Sequence, residues 1–116
     1  AVDRLVTREP FQDAAHLMPV TSKVAFCCDS FVVSPLFFPG GDIGQLAVHG
    51  TCNDLIVAGA RPKWLSLSMI LEEGLPLSTL DDILQSVAST AREVGVSIVT
   101  GDTKITPKGA VDQLFL

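Results

Sequence analysis

The strongest constraint on the fold is a helical period that runs along residues 80–94. Apolar side chains recur there every three or four positions, which places them on one face of an α-helix. The side chains on this face are Leu80, Ile83, Leu84, Val87, Ala88, Ala91 and Val94. Gly95 follows at once, and glycine is the residue that most often ends a helix in the left-handed conformation. The spacing therefore predicts an amphipathic helix that packs against a core.

A second stretch, residues 63–72, has the two-residue period of a β-strand. One face carries only large apolar side chains, namely Leu65, Leu67, Met69 and Leu71. The other face is semi-polar and carries Trp64, Ser66, Ser68 and Ile70. The apolar face suits a core under helices, whereas the serines predict that the second face meets solvent, a ligand or a partner.

Weaker signals complete the order of elements. Strands are predicted at 23–28, 96–100 and 112–116, and residues 31–33 continue the β-favouring composition of the first strand. A loop is predicted from Pro35 to Gly41. A helix begins after Asp42, whose capping box is completed by Gln45, and ends at Gly59 and Pro62. Ser78 and Asp81 predict a second capping box, and the run 101–104 predicts a turn after the buried strand. This order implies an α+β fold, a two-layer α/β-type arrangement with helices on one face of a mixed sheet.

Composition limits the classes of protein that fit. The 116 residues suit one domain, and a net charge of −5 with eight scattered Lys and Arg argues against nucleic acid. No apolar run approaches the roughly 20 residues of a membrane-spanning helix. The chain is nevertheless 47% hydrophobic and only 18% charged, so we expect a second domain or a partner to cover apolar surface. Three cysteines without a CxxC motif favour reduced thiols and a cytoplasmic location.

Four aspartates stand at positions where local rules disfavour them. Asp29 ends an apolar strand, Asp54 follows Asn53 inside an apolar helix, Asp102 lies at the glycine turn, and Asp13 precedes an apolar stretch. Carboxylates that converge in this way suit Mg²⁺, which prefers oxygen ligands and bridges to substrate phosphates. Capping, turn formation or ion pairing is the more ordinary explanation for each aspartate taken alone, and their occurrence together at element ends and in an apolar helix favours a site.

Beyond these patterns, the sequence resembles the hydrogenase expression/formation protein family HypE. The longest matching motif is residues 29–44, DSFVVSPLFFPGGDIG. Shorter motifs are NDL at 53–55, ILEEGLP at 70–76 and TGDTK at 100–104. The resemblance runs from about Phe11 to Leu116. The wider PurM-like superfamily, with aminoimidazole ribonucleotide synthase, selenophosphate synthase and thiamine-monophosphate kinase, shares only the shorter aspartate motifs.

The resemblance implies an architecture and a reaction. Residues 1–10 would form an arm, and 11–116 the ATP-binding, dimerising domain, whose sheet pairs with its twin into a barrel. The full protein of this family uses ATP to dehydrate a thiocarbamate on its own C-terminal cysteine to a thiocyanate, the source of cyanide for nickel–iron hydrogenase. The carbamoyl-transferring maturation protein and the iron-site assembly proteins are the implied partners. The C-terminal domain is absent from this chain, so we expect it to be inactive alone.

The resemblance also implies roles for particular residues. Asp54 and Asp102 match the Mg²⁺-binding positions best, Asp29 matches a metal or phosphate position, and Asp13 resembles a fourth acidic position although Gln12 replaces an acid there. The implied nucleotide contacts are Asn53, Thr103 and Lys104. Cys27 and Cys28 stand where the family usually has two threonines, so the resemblance does not carry a hydroxyl contact over to these two positions.

Two alternatives remain open from the sequence. One is another ATP-dependent enzyme of the superfamily, such as a small-molecule kinase or a synthase. A C-terminal cysteine in the full gene would argue against this alternative. The other is a non-catalytic dimerisation and docking module, for which a dimer without nucleotide affinity would be the signature.

Overall fold

The structure, a computed structural model, describes residues 14–19 and 22–116. In chain order the elements are β1 (Phe37–Phe38), β2 (Gly41–Asp42), α1 (Ile43–Val57), β3 (Trp64–Glu72), α2 (Leu77–Val94), β4 (Ser97–Thr106) and β5 (Leu114–Phe115). The three-stranded sheet has the order β4-β3-β5, with β4 parallel and β5 antiparallel to β3. The mixed sheet with two helices confirms the predicted fold class.

The core lies between the two helices and one face of the sheet. The predicted apolar face of β3 is turned inward, with Met69 and Leu71 buried, while Ser66 and Ser68 are exposed on the outer face. Ile83 of α2 is fully buried, as is Leu114 of β5. The helix and strand periods thus predict correctly which side chains are buried.

Helix α1 starts as predicted, because the Asp42 carboxylate accepts a hydrogen bond from the Gln45 backbone N–H at 2.9 Å. It crosses α2 closely at Gly44, where an added Cβ would lie 2.8 Å from the Ile83 carbonyl oxygen. Helix α2 starts one residue before the predicted cap: Pro76 is the N-cap and makes no side-chain cap bond. The predicted capping box of Ser78 is therefore wrong, since Ser78 already lies inside the helix. Gly95 ends α2 in the left-handed conformation, as predicted.

The run 101–104 is not a turn. It lies inside β4, opposite residues 67–70 of β3. A register shift lies nearby, between Leu65 and Ser66, and a Cβ on Gly101 would collide with the Leu67 carbonyl oxygen. Glycine is there because two backbones approach each other, which is the other common reason for glycine in a strand.

The predicted strand at 23–28 is also absent, together with its continuation at 31–33. Residues 22–33, called here the 22–33 segment, contain no strand, and Phe26 is 93% exposed. A β-strand requires a hydrogen-bonded neighbour, and the described part of the chain supplies one only at Phe31, which bonds to Leu116. Neither helix of the described residues is long and apolar enough to cross a bilayer.

Candidate functional site

A cleft of about 290 Å³ is lined by the 22–33 segment, by helix α1 and by β3, mainly through residues 65–68 of that strand. Its polar lining comes from Asp29 and Ser30 of the 22–33 segment, Thr51 of α1, and Ser66 and Ser68 of β3. Its apolar lining includes Val48 of α1 and Val87 of α2, both of them core side chains. The cleft thus combines apolar side chains with a few polar ones, the usual composition of a ligand pocket.

The 22–33 segment is held on α1 by two contacts. The Cys27 thiol lies 3.7 Å from the Thr51 carbonyl oxygen, to which it donates. The Phe31 ring covers Gly50, where an added Cβ would lie 2.7 Å from the ring. Gly50 and Thr51 together form a shallow seat on the helix. Sequence reasoning missed both residues, although a glycine beside a threonine in mid-helix is a signal that a helix face is approached closely.

This seat brings two of the predicted site residues to the same place. Asp54 lies one turn after Thr51 on α1, and Asp29 lies two residues after Cys27; both are exposed. Burial, then the charges of Asp54 and Asp29, and lastly Cys28, raise the pKa of the Cys27 thiol. Because Cys27 contacts Thr51, the segment that carries Asp29 lies against the turn of α1 that leads to Asp54, and Asp29 also lines the cleft. Asp29 also accepts a hydrogen bond from the Ser30 N–H at 2.8 Å.

The remaining predicted residues lie on β4. Asp102 is opposite Ser68 of β3, one strand away from the cleft rim. Lys104 is two residues further, and its Nζ lies 3.0 Å from Asp102 Oδ2. Thr103 is exposed between them. Because Asp102 and Lys104 are more than half exposed, this ion pair contributes little stability, and opening it is cheap.

The predicted metal ligands are thus only partly assembled. The elements that carry Asp29 and Asp54 are in contact through Cys27 and Thr51, Asp102 lies on β4, and Asp13 lies outside the described residues. Among residues 14–19 and 22–116 no three His, Cys, Asp or Glu side chains form a ready metal-binding group. Asn53 is exposed on α1 beside Asp54. Exposed carboxylates that come singly or in pairs fit Mg²⁺, which keeps several waters and takes further oxygens from substrate phosphates.

Comparison with known proteins identifies the family. Residues 11–116 match the N-terminal domain of AIR synthase related proteins. The chain is 55% identical over 104 residues to carbamoyl dehydratase HypE of Escherichia coli K12, which covers 90% of this chain and 31% of the relative. It is 52% identical over all 116 residues to the HypE of Cupriavidus necator, covering 33% of that protein. The chain spans about a third of the length of these relatives.

Solved structures agree with this fold. A crystal structure of E. coli HypE superposes with a TM-score of 0.88 at 48% identity, over 96% of this chain and 35% of that one. A HypE in complex with ATP gives 0.87 at 55% identity, over 90% and 31%. A HypE–HypF complex gives 0.74 at 56% identity, over 75% and 28%. Thiamine monophosphate kinase of Aquifex aeolicus, at 20% identity and a TM-score of 0.61 over 75% and 29%, shares the fold.

Proposed function

Because this chain belongs to the AIR synthase related protein family, whose N-terminal domain it matches, we propose that it is the ATP- and Mg²⁺-binding, dimerising domain of a hydrogenase-maturation carbamoyl dehydratase. The observation that carries the proposal is the likeness to a HypE in complex with ATP, at 55% identity and a TM-score of 0.87. The relatives of similar identity are named carbamoyl dehydratases. We place the reaction in the cytoplasm.

The proposed reaction removes water from a thiocarbamate, R–S–C(=O)–NH2, on the C-terminal cysteine of the full-length protein. The carbamoyl oxygen attacks the γ-phosphorus of ATP, which forms a C–O–P bond and releases ADP while nitrogen loses one proton. Loss of the second N–H proton and cleavage of the C–O bond then release phosphate. The product is the thiocyanate R–S–C≡N, and the 116-residue chain alone, with a third of the length of its relatives, does not complete this sequence.

In this proposal the aspartates serve the phosphates and not the sulfur. Asp29 and Asp54, together with Asp102 and Asp13, would hold Mg²⁺, which would supply neutralisation of phosphate charge and of charge that develops in the transition state. The contact between Cys27 and Thr51, which brings the segment of Asp29 against the helix of Asp54, supports this assignment. Acidic residues without a metal would repel a nucleotide.

Residues on α1 and β4 would then contact the nucleotide. Asn53 offers an amide, and Thr103 a hydroxyl, both exposed. Lys104 has its ammonium group on Asp102, and we propose that it would contact a phosphate of the nucleotide in place of this carboxylate. The exchange is inexpensive because exposed ion pairs contribute at most about 1 kcal/mol.

The outer face of β3 is the proposed dimer surface. Ser66 and Ser68 are exposed there, and Ile70 is 36% exposed beside them. We propose that this face pairs with its twin to close a barrel. The further partners are the carbamoyl-transferring maturation protein and the iron-site assembly proteins, a proposal supported by the likeness to a HypE–HypF complex.

Titration calorimetry of ATP into the full-length protein, with and without Mg²⁺, tests the site. We expect Asp54→Asn and Asp102→Asn each to weaken Mg²⁺-dependent ATP binding at least tenfold. Asp82→Asn, an exposed carboxylate on α2, is the matched control and leaves binding unchanged. Equal binding by wild type and both site variants, with no dependence on metal, would contradict the assignment.

A further inference from the structure

The contact between the 22–33 segment and helix α1 brings two cysteines near each other. The Cys27 thiol is half-buried and lies 3.7 Å from the Thr51 carbonyl oxygen. Cys52 follows Thr51 directly in α1 and is buried. A carbonyl oxygen lies about 3 Å from the Cα of the next residue, so the Cys27 sulfur lies within about 7 Å of the Cys52 Cα.

This separation is close to what a disulfide requires. In a disulfide each sulfur lies roughly 4 Å from the Cα of the partner cysteine. The Cys27 sulfur is therefore at most about 3 Å farther from Cys52 than in a formed bond. A change of the χ1 rotamer moves a cysteine sulfur by about this distance, so the bond needs no rearrangement of the fold.

The electrostatics of the two thiols agree with this contact. Burial raises the pKa of Cys52, and the charge of Cys27 raises it further. A like charge has this effect only when it lies nearby. The third cysteine is placed differently: Cys28 is exposed, and it is the Cys27 sulfur that contacts α1. The chain thus contains one candidate pair and one neighbouring cysteine that serves as a control.

We propose that Cys27 and Cys52 are a redox modification site, at which a low-molecular-weight disulfide such as oxidised glutathione converts the two thiols into a reversible disulfide bond. A reducing cytoplasm keeps such thiols reduced most of the time, so the bond is a product of oxidising conditions and not part of the resting fold. This inference concerns two thiols and stands or falls independently of the proposed ATP chemistry.

The reaction is two successive thiol–disulfide exchanges. Cys27 reacts first, because it is the less buried of the two. It loses its proton, its sulfur attacks one sulfur of the small disulfide R–S–S–R, and one R–S⁻ leaves. Cys52 then loses its proton and attacks the Cys27 sulfur, which expels the second R–S⁻. The protein loses two electrons and two protons, and the small disulfide becomes two R–SH molecules.

The bond would join two elements that carry proposed site residues. Asp29 lies two residues after Cys27 in the 22–33 segment, and Asp54 lies two residues after Cys52 in α1. A covalent link between the elements restricts how far the two carboxylates can move relative to each other. The oxidation state of the cysteines would thereby act on the geometry of this part of the molecule.

Peptide mapping of the folded full-length protein after incubation with oxidised glutathione tests the proposal. The incubation is run near pH 8.5, because burial raises the pKa of both thiols and the thiolate is the form that attacks. Free thiols are then alkylated, and the protein is cut with trypsin and before aspartates without reduction. Cys27 and Cys28 then lie on peptide 24–28 and Cys52 on peptide 42–53.

We expect the two peptides to be joined in the wild type and separated again by dithiothreitol. Cys28→Ser, the matched control, should give the joined peptides at the wild-type yield. Cys27→Ser should lower that yield at least about tenfold, because Cys28 is not in contact with α1. In a Cys28→Ser protein that also carries Cys52→Ala, we expect glutathione to remain on Cys27, since no second thiol expels it.

Three results would overturn the proposal. The first is a wild-type protein whose peptides 24–28 and 42–53 stay separate, with free or glutathione-bearing cysteines. The second is an equal yield of joined peptides in Cys27→Ser and Cys28→Ser, because the bond would then not depend on the Cys27 contact. The third is a joined pair found only in a covalent dimer, which would make the link intermolecular. Melting temperatures close to the wild type in reducing buffer show that the variants are folded.

Discussion

Strand β3 and the 22–33 segment have similar β-favouring compositions but different structures. β3 is paired along its whole length with β4 and at Ile70 and Leu71 with β5, and it buries Met69 and Leu71. The 22–33 segment forms no strand, and Val24 and Phe26 are 67% and 93% exposed. Since β-propensity largely measures how well side chains fit a pleated, half-buried surface, the difference shows that the partner, and not the composition, determines which stretch becomes a strand.

Truncation of one large side chain in each region gives the largest expected contrast. Ile83→Ala removes a fully buried side chain and should lower the free energy of unfolding by about 2–5 kcal/mol. Phe26→Ala removes an exposed ring and should change it by no more than about 0.5 kcal/mol. Urea unfolding of the 116-residue chain measures both. A loss above 1 kcal/mol for Phe26→Ala would show that the 22–33 segment is packed in solution.

Two glycines on α1 have different neighbours: Gly44 faces the backbone of α2, and Gly50 faces the Phe31 side chain. Gly44→Ala would press a methyl group against the Ile83 carbonyl oxygen of α2, and we expect a cost of about 1–3 kcal/mol. Gly50→Ala would meet only the far end of the Phe31 ring, at 2.7 Å, which is a half-buried side chain and not backbone. The ring can move, and alanine favours the helix by up to about 1 kcal/mol.

We therefore expect Gly50→Ala to leave urea stability unchanged or slightly raised, while it weakens the seat of the 22–33 segment. Faster alkylation of the Cys27 thiol in this variant is the second readout. Similar stability losses for Gly44→Ala and Gly50→Ala would mean that the two neighbours are equally rigid.

The smallest expected effect is a loss of stability at alkaline pH, and it comes from Cys27, where the 22–33 segment contacts α1. Burial raises the pKa of Cys27, with smaller contributions from Asp54, Asp29 and Cys28. A raised pKa means that the folded state keeps the thiol proton to a higher pH than the unfolded chain does. The contribution is therefore fully present below the unfolded-state pKa, near 8.5, and is lost as pH rises through the folded-state pKa.

Thermal unfolding between pH 7.5 and pH 10 measures this loss in wild type and in Cys27→Ser. The serine keeps a donor for the Thr51 carbonyl but does not titrate in this range. We expect the melting temperature of the wild type to fall more steeply with pH than that of the variant. Burial, which is the larger cause of the raised pKa of Cys52, is common to both proteins, whereas the smaller contribution from Cys27 is lost in the variant. Parallel pH profiles would exclude a contribution from Cys27.

Part of the candidate site was visible in the sequence and part was not. The aspartates could be selected because each breaks a local rule, and the family resemblance named the nucleotide contacts. The proximity of Asp29 and Asp54 depends on a contact between Cys27 and Thr51, which are 24 residues apart. No local pattern encodes such a contact, so the seat at Gly50 and Thr51 emerged only from the structure.

The sequence alone determined the elements whose physics is local. The apolar face of α2, the Asp42 cap of α1, the Gly95 terminus and the alternation of β3 depend on residues at most a few positions apart. The tertiary structure decided whether a β-favouring stretch was paired. It placed residues 101–104 inside β4, because β3 supplied a neighbour. It left residues 23–28 without a strand, because a strand is completed by hydrogen bonds to a neighbour that can lie anywhere in the chain.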